Sequence, residues 1–459
     1  MATTDITSAY LQVQYPADQM MLVTKLERNI AELCNLDPNQ EYRINKYIYG
    51  LPDSGRAFYH MYKSVLEQEG YRCSKIDPCL FIKRDEVETT FILIHVDDTY
   101  IFSNSTENHL KFAERMNRHF PVTLDTKADS FLGVHIKHND DGSVELTQEK
   151  LINKLLKEFP IHESKRRRNI THPYGKNTPP SKEDEDAPVC SNDYLHVLGM
   201  LMYLTRSRPD ILTAVSFAST KSHNPTQASM NDLLEIVEYI RETKSKTYRI
   251  YKTSDVNDIQ LTCEVDASYL VHPDSKGHTG YTMGFGAAIG TFYCKSAKQT
   301  AVTTSSTHAE MRAIYTLVKD ILYVIQLCKD TGTNIKLPVI ILEDNSAVIT
   351  MATEEASYLK RCKHFIMVIN YVKEQVEAGM VSINKVKGTE NNADILTKKV
   401  RDKSYNTKSE NIMGHHSNSP PNNKFLCRIS NRPSMMACPL QKRKLNHPRR
   451  AGLIARMYI

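Results

Sequence analysis

The sequence predicts a chain of several domains with α+β and α/β architecture. Its 459 residues exceed the length at which one hydrophobic core stops growing. Two stretches, 5–159 and 259–400, alternate strand-like runs with helical patterns. Between them, residues 160–192 are rich in proline and charge and poor in large apolar side chains, which is typical of a linker.

The first stretch is predicted to contain a hairpin and three helices. Residues 89–96 and 98–103 are rich in β-branched and aromatic side chains and flank two adjacent acids. Apolar residues at helical spacing predict helices over residues 54–70, 105–120 and 147–159.

The part of the chain after the linker is predicted to be helical and then α/β. Residues 193–258 have apolar helical patterns over 194–205, 212–221 and 230–240. The strand-like run "IQLTCEVDASY" then begins an α/β pattern that continues to Val400. Residues 401–459 lose periodicity and gain Pro, Asn and Arg, so we expect a basic, disordered tail there.

Composition limits the function classes only in part. The net charge of +6 comes from the tail, where 12 Lys and Arg stand against 2 Asp and Glu, whereas the first 400 residues have 47 against 51. Net charge therefore does not argue for nucleic-acid binding by the folded part. No apolar run is long enough to cross a bilayer, and the first residues lack signal-peptide features. We expect an intracellular protein with no membrane partner and with reduced cysteines.

Three acids in the first stretch are candidate metal ligands. Asp97 and Asp98 lie between two apolar strand segments, and burying such polar groups without partners costs about 2–7 kcal/mol each. A turn with exposed acids explains an isolated Asp-Asp pair, and a divalent cation is the alternative. Asp5 begins another strand-like run, which favours the cation, because three carboxylates on adjacent strands can hold two metals roughly 4 Å apart.

A second set of four acids is spread over the later α/β stretch. Asp266 lies in an apolar strand, and Glu310 lies in the first turn of a long predicted helix. Asp344 follows a very apolar strand, and Asp394 lies near another helix start. Each acid alone is explained by helix capping or loop exposure, whereas the four together favour a shared metal site.

The first 150 residues contain the motifs "DITSAYLQ", "YIYGLPDSGRAFY", "IHVDD" and "FLGVHI". These four motifs resemble, in the same order, those of the reverse transcriptase of copia-type LTR retrotransposons. The resemblance implies a palm and thumb over residues 1–159, with Asp5 and Asp97 as metal ligands and Asp98 as an accessory acid. It also implies that residues 131–136 help to grip a primer, and that the substrates are an RNA template, a DNA primer and dNTPs.

The second set of acids resembles the four carboxylates of RNase H in the same order. "SKGHTGYTMG", "KSAKQTAVTTSSTHAE" and "KRCKHFIMVINYVKE" are similar to the segments between those acids in copia-type elements. The resemblance implies an RNase H-like domain over residues 259–400 that cleaves the RNA of an RNA–DNA hybrid. Asp266, Glu310, Asp344 and Asp394 would hold Mg²⁺, or Mn²⁺ in its place, for two-metal hydrolysis. A location in the cytoplasm, within a virus-like particle, or in the nucleus follows from the same resemblance.

Residues 193–258 resemble the connection region of the same family through "LGMLMYLTRSRPDI". We expect a structural role for Arg208, Pro209 and Asp210. Four basic groups near the nuclease acids, Lys295, Lys298, Lys363 and His364, either contact phosphates or form a solvated charged face. The tail segment "QKRKLNHPRR" either binds nucleic acid or import factors, or is flanking sequence without a selected function.

Two departures from the family pattern leave alternative functions open. His95 stands where the family usually has Tyr before Val-Asp-Asp, and only four residues precede Asp5, so we expect a truncated copy without the fingers region. One alternative is a fragment in which only the nuclease works. The other is a non-catalytic remnant that binds nucleic acid.

Overall fold

The computed structural model describes most of the chain. The described residues are 1–16, 23–25, 27–160, 170–176, 179, 187–251, 259–286, 290–354, 362–400 and 403–415. They form two compact units, Met1–Leu132 and Gly133–Ile459, each with its own internal packing. None of the helices in these ranges is long and apolar enough to span a membrane.

The described residues of the first unit form nine short strands and three α-helices. The strands are β1 Ala2–Ile6, β2 Val23–Lys25, β3 Glu41–Arg43, β4 Arg72–Cys73, β5 Leu80–Arg84, β6 Thr89–His95, β7 Asp98–Ser103, β8 Val122–Asp125 and β9 Ser130–Phe131. The helices are α1 Arg28–Leu33, α2 Ser54–Gln68 and α3 Thr106–Asn117, with a 3-10 helix at Ala9–Gln12. The predicted hairpin is confirmed as β6 and β7, and the first two predicted helices are confirmed as α2 and α3.

An antiparallel sheet of six strands organises this unit. Its strand order is β4-β5-β6-β7-β1-β8, so β1 pairs with β7 on one side and β8 on the other. Phe58 and Tyr62 of α2 and Phe112 of α3 are buried with the sheet residues Ile92 and Ile101. The apolar faces of the two helices therefore pack against the apolar face of the sheet, and together these faces form the core of this unit.

The second unit contains eight strands and eight α-helices among its described residues. The strands are β10 Val134–His138, β11 Val144–Thr147, β12 Tyr248–Ile250, β13 Ile259–Ser268, β14 Lys276–Phe285, β15 Thr291–Val302, β16 Ile335–Glu343 and β17 Val381–Lys385. The helices are α4 Glu149–Glu158, α5 Ser191–Leu204, α6 Leu212–Ser219, α7 Gln227–Glu242, α8 Ser306–Thr331, α9 Ser346–Thr353, α10 Ile366–Glu377 and α11 Lys403–Met413. Three short 3-10 helices lie at Pro209–Ile211, Lys363–Phe365 and Asn392–Leu396.

A five-stranded mixed sheet forms the centre of the α/β part. Its order is β15-β14-β13-β16-β17; the first three strands are antiparallel, and β16 and β17 run parallel to β13. The long helix α8 packs against β13 and β14, and α10 packs against α8 and α9. This mixture of sheets and helices confirms the predicted fold class.

The helices of residues 193–258 share a core with the α/β part. Leu201 of α5 and Ile236 of α7 are buried in the same cluster as Ile395 and Tyr405. The Thr213 hydroxyl of α6 donates a hydrogen bond to the Ile395 carbonyl at 2.6 Å. Tyr174, inside the predicted linker, is also buried and donates to that carbonyl at 3.0 Å.

The first residues of the predicted tail are folded, which corrects the boundary expected at residue 400. Lys403–Met413 form α11, and Tyr405, Ile412 and Met413 are fully buried. Their spacing of seven and eight residues places them on one helix face. The prediction missed this helix because few of its residues are apolar. The basic segment near the chain end lies outside the described residues.

Candidate active site

Three predicted nuclease acids meet at the centre of the five-stranded sheet. Carboxylate oxygens of Asp266, Glu310 and Asp344 all lie within 4.8 Å of one another. Asp266 is 2% exposed and Glu310 is 7% exposed. Acids separated by as many as 78 residues in sequence, from Asp266 to Asp344, are thus brought into one buried cluster.

Local sequence places each of these acids. Asp266 lies on β13 opposite Gly280 of β14. The Ser305 hydroxyl accepts a hydrogen bond from the His308 amide and so caps α8, which puts Glu310 just beyond the first helical turn. Asp344 directly follows β16, where Asn345 caps the next helix.

Two glycines allow close packing around the cluster. A Cβ atom on Gly280 would lie 2.5–2.8 Å from atoms of Leu396 and Thr397, so only glycine lets the 3-10 helix Asn392–Leu396 approach the sheet. A Cβ atom on Gly388 would lie 2.9 Å from Asp344 Oδ2. The 3-10 helix brings the fourth acid, Asp394, next to Asp266.

Asp394 is held by two lysines. Its Oδ1 lies 2.6 Å from Lys398 Nζ, and its Oδ2 contacts Lys408 Nζ. Lys398 Nζ also lies 3.6 Å from Asp266 Oδ2, and the Thr397 hydroxyl donates a hydrogen bond to that oxygen. The fourth acid therefore joins the cluster through Lys398.

Burial and the repulsion between neighbouring carboxylates raise the pKa values of three acids at this site. Burial, more than the nearby acids, raises the pKa of Asp266 to about 6, although Lys398 opposes the shift. Burial and the neighbouring carboxylate of Asp266 raise the pKa of Glu310 well above its usual value. Glu343, which is fully buried, has its pKa raised to about 8, mainly by burial.

This arrangement fits a divalent cation of the Mg²⁺ class. Hard cations of that class take oxygen ligands, and three carboxylates offer oxygens within reach of one ion. Oε2 of Glu310 is buried and has no hydrogen-bond partner among the residues that the structure describes. A cation would compensate for that lost hydration.

The three predicted polymerase acids lie side by side at one end of the six-stranded sheet. Asp5 of β1 is directly opposite Asp98 of β7. Burial, with Asp97 and then Asp5 adding to it, raises the pKa of Asp98. Among the described residues, however, only the Asp266 cluster has three acidic ligand atoms within 4.8 Å of one another. The metal-ligand role of Asp5, Asp97 and Asp98 stays a prediction.

The turn between β6 and β7 is strained. His95 pairs with Asp98, so Val96 and Asp97 are its two central residues. Val96 has a φ of 59°, a backbone conformation that is rare for β-branched residues and is concentrated at functional sites. This strained turn presents Asp97 beside Asp98.

Three of the four basic groups predicted near the nuclease acids have partners within the protein. Lys295 Nζ lies 3.1 Å from Asp320, and Lys298 Nζ lies 2.9 Å from Asp274. His364 Nε2 lies 2.5 Å from the Thr304 hydroxyl, and Lys363 is exposed. Their contact with phosphates stays a prediction.

Sequence reasoning missed Glu343, Lys398 and Lys408. Lys398 lies four residues after Asp394, a spacing that joins side chains across one helical turn and was an available signal. Glu343 precedes Asp344 at the end of a buried strand. Lys408 could not be found, because its helix was not predicted.

Comparison with known proteins finds a family match over the first part of the chain and similar proteins over most of its length. Residues 1–173 match the family "Reverse transcriptase (RNA-dependent DNA polymerase)". The Pol polyprotein of tobacco (Nicotiana tabacum) transposon TNT 1-94 is 25% identical over 389 residues, which cover 82% of this chain and 28% of that protein. The Pol polyprotein of Arabidopsis thaliana transposon RE1 is 26% identical over 362 residues, which cover 79% of this chain and 24% of that protein.

The chain is similar to retrotransposon Pol polyproteins over about four fifths of its length. It spans about a quarter of the length of these curated relatives. The match over residues 1–173 confirms the reverse transcriptase resemblance predicted from the motifs.

Two solved RNase H structures also match part of this chain. LC11-RNase H1, isolated from compost, is 14% identical, with a TM-score of 0.22, and the match covers 30% of this chain and 92% of that one. The PFV RNase H domain is 18% identical, with a TM-score of 0.23, and the match covers 30% and 93%.

Proposed function

We propose that this protein hydrolyses the RNA strand of RNA–DNA hybrids with Asp266, Glu310, Asp344 and Asp394 as its catalytic metal ligands. The main observation behind this proposal is that carboxylate oxygens of three of these acids lie within 4.8 Å of one another in a largely buried cluster. Their order along the chain, together with the relationship to Pol polyproteins, supports the assignment. Mg²⁺ is the expected cofactor, with Mn²⁺ as a substitute.

The protein's own residues prepare the site for this chemistry. Cations bound there would supply an activated water and stabilise the departing 3′-oxygen of the RNA. β13, α8 and the end of β16 fix three carboxylates on rigid elements, which limits their motion. Burial of Glu310 and Asp266 excludes water and strengthens their electrostatic action. Selection of a hybrid would depend on its 2′-hydroxyls and groove shape.

A hybrid-cleavage assay of the full chain tests this function. Asp266→Asn and Glu310→Gln should each reduce Mg²⁺-dependent cleavage roughly a hundredfold or more, because each removes an anionic ligand. Asp274→Asn is a matched control, since Asp274 is 42% exposed and pairs with Lys298 outside the cluster. Unchanged cleavage in both cluster variants would refute the nuclease assignment.

We propose DNA synthesis as a second activity, with an RNA template, a DNA primer and dNTPs as substrates. The family match over residues 1–173 and the pairing of Asp5 with Asp98 favour it. In this proposal Asp5 and Asp97 bind metal and Asp98 assists them. Residues 1–159 serve as palm and thumb, 160–192 as linker, 193–258 as connection region and 259–400 as the RNase H-like domain, and residues 131–136 contact the primer. The protein would act inside the cell, in the cytoplasm or nucleus.

Primer extension on an RNA template separates these activities. Asp97→Asn should abolish extension and leave hybrid cleavage intact, whereas Asp266→Asn should do the reverse. Asp129→Asn, at an exposed position of the same unit, is the control. Cleavage without extension in the unaltered protein would favour the nuclease-only alternative. Hybrid binding without either reaction would favour the non-catalytic alternative.

A further inference from the structure

The ammonium group of Lys398 lies where the negative charges of the predicted nuclease acids would also attract a metal cation. Its ammonium lies 2.6 Å from Asp394 Oδ1 and 3.6 Å from Asp266 Oδ2. The negative charges of Asp266, Asp394 and Asp344 raise its pKa, although burial opposes them. A single positive charge thus bridges the fourth acid and the three-acid group.

Lys408 contacts the same acid in a different way. It comes from α11, binds Asp394 Oδ2 and donates a hydrogen bond to the Gly388 carbonyl at 3.2 Å. Its side chain is only 6% exposed. Two partners and a packed helix therefore fix Lys408, and with it one oxygen of Asp394.

A hydrogen-bond network ties α11 to the 3-10 helix that carries Asp394. Asn411 donates to Asn392 at 3.0 Å, and Asn392 donates to Glu264 of β13 at 2.9 Å. Lys408 therefore keeps its place relative to Asp394 and the sheet. No comparable anchor is present for Lys398 among the described residues.

The two lysines differ in their freedom to move. The side chain of Lys398 is 47% exposed, so its flexible stem can carry the ammonium into water without leaving a buried charge. Both oxygens of Asp394 are occupied by ammonium groups while Lys398 is in place. A divalent ion that uses Asp394 therefore needs one oxygen released.

We propose that Lys398 is a built-in counter-ion that a divalent metal displaces from Asp394 and Asp266, while Lys408 stays and orients Asp394. This inference rests on the proposed nuclease function. It makes Lys398 a positioning residue that lowers metal affinity in the free protein and prevents repulsion between Asp394 and Asp266. It also predicts that a metal ion shared by these two acids binds more weakly than the other metal ion of the site.

Titration of the full chain with Mn²⁺, followed by electron paramagnetic resonance, tests the proposal without measuring catalysis. Lys398→Gln should bind the weaker Mn²⁺ roughly fivefold more tightly, because the ion no longer competes with an ammonium. Lys319→Gln removes one positive charge from α8, where Lys319 lies over the Tyr315 ring, and should leave the affinity unchanged. A merely structural role for Lys398 would instead weaken binding.

A second variant keeps the test decisive if Lys398→Gln folds poorly. Lys398→Arg retains the positive charge and should bind Mn²⁺ no more tightly than the unaltered protein. Circular dichroism in EDTA establishes that each variant is folded. Equal or weaker Mn²⁺ binding by folded Lys398→Gln, or tighter binding by Lys398→Arg, would overturn the proposal.

The two proposals fail in different ways. If the unaltered protein binds Mn²⁺ and cleaves hybrids but Lys398→Gln binds as before, only the displacement of Lys398 is wrong. If the unaltered protein binds no Mn²⁺, and Asp266→Asn changes nothing, the nuclease function and this inference both fall.

Discussion

Glu310 shows how a functional side chain works against the stability of the fold around it. Its carboxylate is buried, faces Asp266 and Glu343, and has one oxygen without a hydrogen-bond partner in the described part of the chain. An unpaired polar atom in that setting is unfavourable unless a ligand compensates. The packing that Glu310 contributes therefore does not explain its position, whereas the proposed binding of a metal cation does.

Replacement of this acid should therefore stabilise the metal-free protein. We expect Glu310→Gln to raise the free energy of unfolding in EDTA by about 1 kcal/mol, because a neutral amide of the same shape removes like-charge repulsion. Thermal unfolding followed by circular dichroism measures the change. Glu377→Gln, whose side chain is 67% exposed on α10, should have no effect. A lower melting temperature for Glu310→Gln would contradict this explanation.

At the scale of elements, a buried histidine pair joins the start of β14 to the helix α6. His272 Nε2 lies 3.0 Å from His278 Nδ1, and His278 Nε2 lies 2.7 Å from the Ser296 hydroxyl. Phe217 of α6 packs against both rings. Burial is the main cause that lowers the pKa of His272 to about 4 and that of His278 to about 3.

This pair predicts an acid-sensitive stability. Between pH 6.5 and about 4 the unfolded chain binds protons that the native pair does not bind, so stability falls as the pH decreases. Each histidine contributes a slope of about 1.4 kcal/mol per pH unit in that window. Lys298 and Lys276 disfavour protonation of His272 further, whereas Asp274 opposes them.

Denaturant unfolding of the full chain across this pH range measures the effect. Replacement of both His272 and His278 by Gln should reduce the slope, whatever it does to stability at pH 7. His223→Gln, at an exposed position, should leave the slope unchanged. An unaltered slope in the double variant would show that other groups cause the acid sensitivity.

The elements that sequence predicted were those in which apolar residues dominate the buried face. This pattern is present in the strands around Asp97 and Asp266 and in the helices α2 and α8. Asp97 and Asp266 could therefore be recognised as acids that interrupt apolar runs. α11 was missed because it buries Lys408 and Ser409 beside Tyr405. Lys408 is paired with the distant residues Asp394 and Gly388, and hydrophobic periodicity contains no information about such contacts.

The sequence was enough to select the four candidate acids, but it did not show how Asp394 approaches the other three. Asp266, Glu310 and Asp344 each stand at a recognisable point, within a strand, near a helix start or after a strand. The approach of Asp394 depends on Gly280, where any larger side chain would clash with the 3-10 helix. Such long-range steric fits become visible only in three dimensions.

At the scale of the whole molecule, the helices α5 to α7 and the α/β part with the five-stranded sheet form one packed unit. Arg208 and Asp210, both 1% exposed, form a bidentate ion pair at 2.7 and 2.8 Å. Tyr239 of α7 donates a hydrogen bond to the Asp210 carboxylate, and Tyr405 of α11 donates to its carbonyl. This buried pair is consistent with the structural role predicted for the Arg-Pro-Asp segment.

Loss of this ion pair should loosen the part that contains the Asp266 cluster as well as the helices α5 to α7. Arg208→Gln should destabilise the second unit by about 3–5 kcal/mol, because Asp210 would remain buried without its counter-charge. Hydrogen exchange should increase in α6, α7 and the 3-10 helix that carries Asp394. Arg206→Gln is the control, since Arg206 lies over the Tyr203 ring at the surface. Increased exchange confined to α6 and α7 would argue against this coupling.

The folded helix after residue 400 affects how genomic copies of such elements are judged. A copy whose reading frame stopped at Val400 would keep every acid of the proposed nuclease and would be counted as intact by any survey of those acids. It would lack Tyr405, which is buried in the shared core, and Lys408, which contacts Asp394. A census of competent copies should therefore require an open frame through Met413.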